Sequence, residues 1–99
     1  MARRREYPLR IVVNGVQITK VIIDPHYEEN HAESITDKIV IELVKTLDGL
    51  SVLPEVVKEP FSYFAQDGIE MGGKLYKLIW LLEDDEIYVG VINAYRRKK

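Results

Sequence analysis

Hydrophobic and polar positions alternate most regularly in "LRIVVNGVQITKVIID", residues 9 to 24. Asn14-Gly15 breaks the alternation with a pair that favours a two-residue type I′ turn, because both central positions of that turn need positive φ. The pattern predicts a hairpin in which Val13 pairs with Val16 and Ile11 with Ile18, all four on one face, with Arg10, Gln17 and Thr19 on the other. Pro25, which has no N–H for a ladder, ends the second strand near Asp24. The period then changes. In "SITDKIVIELVKTLDGL" Ile35, Ile39, Leu43 and Leu47 recur every fourth residue, and Val40 and Val44 widen the stripe. This predicts one helix, with Ser34 as its cap, Asp37 in its first turn and Gly49 as its left-handed stop.

Two prolines in "SVLPEVVKEP" make that stretch a connection or an edge segment. "FSYFAQ", "KLYKLIWLL" and "EIYVGVINAY" read as strands. Asp67-Gly68 and Gly72-Gly73 are turn signals, with a short strand between them left open. A turn at Asp84-Asp85 pairs Leu82 with Ile87, Trp80 with Val89 and Leu78 with Val91, on the face that covers the helix. The reverse face carries Leu75, Ile79, Leu81, Tyr88, Ile92 and Ala94, so these strands are apolar on both sides. Partial cover of that second face by the first hairpin is expected, with self-association as the alternative. The order is β-β-α-β-β-β. The class is α+β, a single domain over residues 1–99 with one helix packed on a curved, mostly antiparallel sheet.

Composition fits this reading and narrows it. Of the 99 residues, 46% are hydrophobic and 30% charged, which suits one small folded domain. There is no cysteine, so disulfides and thiolate metal sites are excluded, and a reducing, cytoplasmic setting is expected. No apolar run approaches a membrane span, and residues 1 to 8 run into a strand pattern without a secretion signal. The net charge of -2 is unevenly spread. Basic tails at 1–6 and 96–99 hold seven of the 14 positive charges, which leaves residues 6 to 95 at −9 against all 16 acids. Such a body is no general nucleic-acid coat, although its ends can touch a phosphate chain locally.

Candidate chemistry gathers in "DPHYEENH", residues 24 to 31, which holds both histidines. His26 and His31 are five apart, whereas ligand pairs on a helix turn are three or four apart. Glu28, Glu29 or Glu33 could add ligands only through a loop. No metal and no cofactor are therefore expected. Histidine is the usual proton carrier near neutral pH. Two imidazoles ahead of a helix, with an arginine on the phosphate, could cleave RNA without a metal. The ordinary alternative is a polar approach to a helix N-terminus. Tyr76, Trp80, Tyr88 and Tyr95 suggest a stacking platform, but aromatics at strand spacing more often fill a core.

The last third, "GKLYKLIWLLEDDEIYVGVINAYRRKK", resembles the C-terminal sheet of the RelE/ParE toxin superfamily and of small neighbouring families such as BrnT. Tyr76-Lys77-Leu78-Ile79 corresponds to their first strand, Glu83 to Glu86 to the hairpin tip, and Tyr95-Arg96-Arg97 to the basic ending. The likeness spans about 27 residues. It implies the toxin of a type II toxin–antitoxin pair, an mRNA endoribonuclease acting on free or ribosome-bound RNA and neutralised by an antitoxin. Arg96 and Arg97 would then bind phosphate or steady the transition state, and Lys77 takes the place of the usual arginine. The chain departs from the family in its leading β-hairpin and its acidic balance. Together these readings assign catalysis to His26, His31 and Arg96, and RNA binding to Lys77, Tyr95, Arg97 and Lys98. The alternative is a non-catalytic module whose apolar sheet face binds another protein or forms a homodimer.

Overall fold

The computed structural model describes residues 3–97. Its strands are β1 (Arg5–Val13), β2 (Val16–Ile23), β3 (Val56–Lys58), β4 (Phe61–Met71), β5 (Lys74–Glu83) and β6 (Tyr88–Arg97). Between β2 and β3 lie a 3₁₀ turn (Pro25–Tyr27), α1 (Glu28–His31) and α2 (Asp37–Lys45). The six strands form one sheet in the order β1-β2-β6-β5-β4-β3. Among the described residues no helix is long and apolar enough to cross a membrane.

The first hairpin forms as its turn chemistry requires. Asn14 has φ +51 and Gly15 φ +74, with Val13 opposite Val16 and Ile11 opposite Ile18. The Asn14 side chain also clamps the chain at Val52, donating from Nδ2 to its carbonyl at 2.9 Å and accepting its N–H at 2.6 Å. β2 then does what its sequence does not announce. It pairs in parallel with β6, Val21 beside Val89 and Ile23 beside Val91. The hairpin thus widens the sheet and does not fold over the second face, which corrects the expected cover.

Other expectations shift by local chemistry. Two helices stand where one was expected, because the 3₁₀ turn and α1 interrupt the approach to α2. Ser34 does not cap α2; its N–H donates to the His31 carbonyl, and Thr36 Oγ1 accepts from Ile39 N instead. The proline-flanked stretch takes the edge alternative, as the short strand β3 paired with β4, which makes six strands where five were expected. Asp67-Gly68 is no turn but a bulge within β4, so only Gly72-Gly73 turns the chain. In the last hairpin Leu82 faces Val89 and Trp80 faces Val91, while a bulge at Ile92 brings Ala94 opposite Leu78. Ala94 is therefore core, not reverse face.

The core lies between α2 and one sheet face. Val40, Leu43, Val44 and Leu47 pack on Val21, Ile23, Leu78, Trp80, Val89 and Val91, all of them buried. Phe64 stacks on Trp80 at 4.1 Å between ring centroids. Burial of this apolar area drives the fold at about 25 cal/mol per Å2. The seam between β1, the 3₁₀ turn and α2 is polar. Asp37 accepts from Arg5 Nε and Tyr7 Oη on one oxygen and from Arg5 Nη2 and Tyr27 Oη on the other, at 2.5 to 2.9 Å.

Candidate functional site

Among the described residues the sheet face away from α2 carries no helix across its centre, and two regions of it bear chemistry. Residues directly opposite in an antiparallel ladder share a face. Tyr76, only 5% exposed, belongs to the core and stands opposite Arg96. Lys77 stands opposite Tyr95 and Leu75 opposite Arg97. Lys77, Tyr95 and Arg97 therefore share the open face, and Arg96 lies on the helix side. Adjacent arginines on a strand must diverge in this way.

His31 reaches the same place by a different route. β2 stops at Ile23, and Asp24 N makes one more bond to the Val91 carbonyl at 2.9 Å. Pro25 cannot continue the ladder, and Asp24 Oδ1 accepts the His26 N–H at 2.9 Å, which starts the 3₁₀ turn. The chain then runs beside the end of β6, where β2 would have lain. Tyr27 is buried and tied to Asp37, which fixes the turn. Half-buried His31 stacks on Tyr95, with ring centroids 5.2 Å apart and planes 27° from parallel.

His26 does not join this group. It is exposed, and its Nδ1 lies 2.7 Å from Glu29 Oε2. Arg97 Nη1 is 3.2 Å from Asp67 Oδ2 in an exposed pair, of the kind that contributes little and exchanges readily. Lys98 lies outside the described residues. Of the residues read from the sequence, the structure thus gathers His31, Lys77, Tyr95 and Arg97, and separates His26 and Arg96. Among the described residues no three His, Asp or Glu side chains form a group able to hold a metal ion.

The second region is a depression of about 340 Å3 nearer the β5–β6 turn. Phe61, Tyr63, Leu81, Tyr88 and Ile92 line it, with Arg4, Asp24 and Glu83 among its polar groups. Gly90 lies beneath Leu81: a Cβ there would stand 2.8 Å from Leu81 Cδ1, so the leucine settles over the strand only because the side chain is missing. Tyr88 donates to Glu83 Oε1 at 2.6 Å. Burial, reinforced by that hydrogen bond and the carboxylate charge, pushes the Tyr88 hydroxyl up to about 12. The sequence signal for this region was a glycine between two valines inside a strand whose outward positions are also apolar.

Charge is graded along β5 and β6. One end holds Lys74, Lys77, Arg96 and Arg97 with the acids Asp67 and Glu70; the other holds Glu83, Asp84, Asp85 and Glu86 at the turn. Along these strands the acidic balance of the body is thus relieved at the end that carries Tyr95, while Glu28, Glu29 and Glu33 flank His31 from α1 and the loop after it. No family model, curated protein or solved structure matches the chain.

Proposed function

We propose that this protein is a toxin-type endoribonuclease that binds RNA across the basic end of its open sheet face and cuts it without a metal. The observation that supports this reading is the His31–Tyr95 stack with Lys77 and Arg97 on the same face. An aromatic–imidazole pair offers a surface on which a base can stack, and flanking cations offer a seat for the phosphate. In the reaction His31 takes the proton of a ribose 2′-hydroxyl, whose oxygen attacks the adjacent phosphorus. The 5′-oxygen leaves and takes a proton from the Tyr95 hydroxyl or from water, and a 2′,3′-cyclic phosphate remains. Arg97, released from its exposed pair with Asp67, and Lys77 balance the charge on the pentavalent phosphorus. Arg96, on the other face, takes no part in the cut.

The test uses purified protein, a fluorescent oligoribonucleotide and a chelator. The expected products carry a 2′,3′-cyclic phosphate. His31→Ala and Arg97→Ala should each lower kcat/KM by about 100-fold or more, in line with the loss of one acid–base or electrostatic group. Arg96→Ala should change it by no more than about threefold, a split that loss of folding would not give. RNA left uncut, or cut equally by the His31 variant, would remove the reading.

A further inference from the structure

We propose that two copies of this chain associate face to face through their open sheet surfaces, with the strands of one copy running opposite to those of the other. The inference does not depend on ribonuclease chemistry. The centre of the open face is apolar: Ile22, Tyr63, Ile79, Leu81, Tyr88 and Ile92 are each half-buried, with no second layer over them among the described residues. The margins are polar, as where Lys20 lies 3.1 Å from Glu6. An apolar centre with a charged rim is the anatomy of a protein interface. The area is sufficient. Five of the six strands are 8 to 11 residues long. At about 3.3 Å per residue and about 4.8 Å between strands they present several hundred Å2, comparable with the roughly 800 Å2 per partner of a specific complex.

Charge selects the occupant and its orientation. On the open face of β5, Lys77 lies three positions before Trp80 and Glu83 three positions after it. A two-fold axis lying between the sheets and crossing β5 near Trp80 reverses the strand direction and sets Lys77 of each copy over Glu83 of the other. It also brings the acidic β5–β6 turn over the end that carries Arg97. An axis parallel to the strands would set like charge on like, which disfavours it. Aligned packing of two twisted sheets suits the first arrangement. Isologous contact of this kind closes as a dimer and leaves no open face for a third copy. Since Lys77 and Tyr95 lie under the contact, the dimer is a closed form of the face.

Sedimentation velocity of the full chain separates the outcomes, because it reads mass and not activity. A species of twice 11.5 kDa is expected at micromolar concentration and low salt. Leu81→Glu should abolish it. Lys77→Glu and Glu83→Lys should each raise the dissociation constant at least about tenfold, and the double reversal should restore it, with circular dichroism confirming that every variant is folded. An 11.5 kDa species at all concentrations up to about 1 mM would overturn the proposal. So would a dimer indifferent to Leu81→Glu, or a double reversal no tighter than its parents.

Discussion

Trp80→Ala is expected to lower the unfolding free energy by about 4 kcal/mol, the largest effect of any single core truncation in the chain. Trp80 is fully buried at the centre of β5, the second strand of the hairpin it makes with β4, and its ring is stacked on Phe64. Removing it leaves a cavity under α2 that Leu43 and Val44 on a regular helix cannot close. A domain of this size has a total stability on the order of 10 kcal/mol, so the variant keeps a fold but a much weaker one. Trp80→Phe separates packing from polarity. The indole Nε1 is buried and has no hydrogen-bond partner among the described residues. Phenylalanine loses volume but also removes an unsatisfied donor, a burden of about 1–3 kcal/mol. Trp80→Phe should therefore cost well under half of what Trp80→Ala costs. Urea unfolding followed by circular dichroism measures both, and equal losses for the two variants would show that the stack contributes little.

Asp37→Ala is expected to cost about 3 kcal/mol, and the loss should depend on pH. This carboxylate joins β1, the 3₁₀ turn and α2 by accepting from Arg5, Tyr7 and Tyr27. Its removal leaves the buried Tyr27 hydroxyl without its acceptor and the Arg5 guanidinium with the looser pair to Glu28 Oε1, 3.5 Å away. Burial disfavours the ionised form of Asp37, but the hydrogen bonds from Arg5, Tyr27 and Tyr7 outweigh it and hold the group at about 2, below its ordinary 3.8. A depressed folded-state value means stability that is fully present above the unfolded value and lost as pH falls through the folded one. The ionised form thus contributes roughly 2 kcal/mol at neutral pH, and this fades between about pH 4 and pH 2. Arg5 lies above its ordinary value chiefly through its hydrogen bond to Asp37, and Tyr27 above its own chiefly through burial, with its hydrogen bond to Asp37 adding to it. Asp37→Asn should therefore be less stable than the parent at pH 6, and the gap should narrow near pH 2. A gap that stays constant over that range would assign the effect to helix capping or packing.

Much of the fold could be read locally. Asn14-Gly15 carries its own turn geometry, and the i, i+4 stripe from Ile35 to Leu47 marks α2 because both signals lie within a few residues. The parallel pairing of β2 with β6 is not local. It joins residues about 68 apart in sequence, and their apolar runs suit a neighbour on either side. Bulges are equally silent. One extra residue at Ile92 moved Ala94 into the core, and Asp67-Gly68 reads as a turn or a bulge with the same residues. The candidate site inherits this limit. Lys77, Tyr95 and Arg97 were joined by the family resemblance alone: an unbulged last hairpin sets Tyr95 and Arg97 on the helix face and Lys77 on the other, and the extra residue at Ile92 brings all three to the open face. The approach of His31 to Tyr95 depends on where β2 stops beside β6. The two histidines look equivalent in the sequence, yet Glu29 holds one and Tyr95 the other.

RNA cleavage on the open face requires His31, Lys77, Tyr95 and Arg97 to form one phosphate-binding surface. Its most direct test is a heteronuclear NMR titration with a 2′-O-methyl oligoribonucleotide, which binds but offers no free 2′-hydroxyl for cleavage. Saturable shifts are expected, centred on those four residues, with Asn14 and Val52 at the far end of the molecule unmoved. Shifts scattered over the described surface, or none at millimolar ligand, would contradict it.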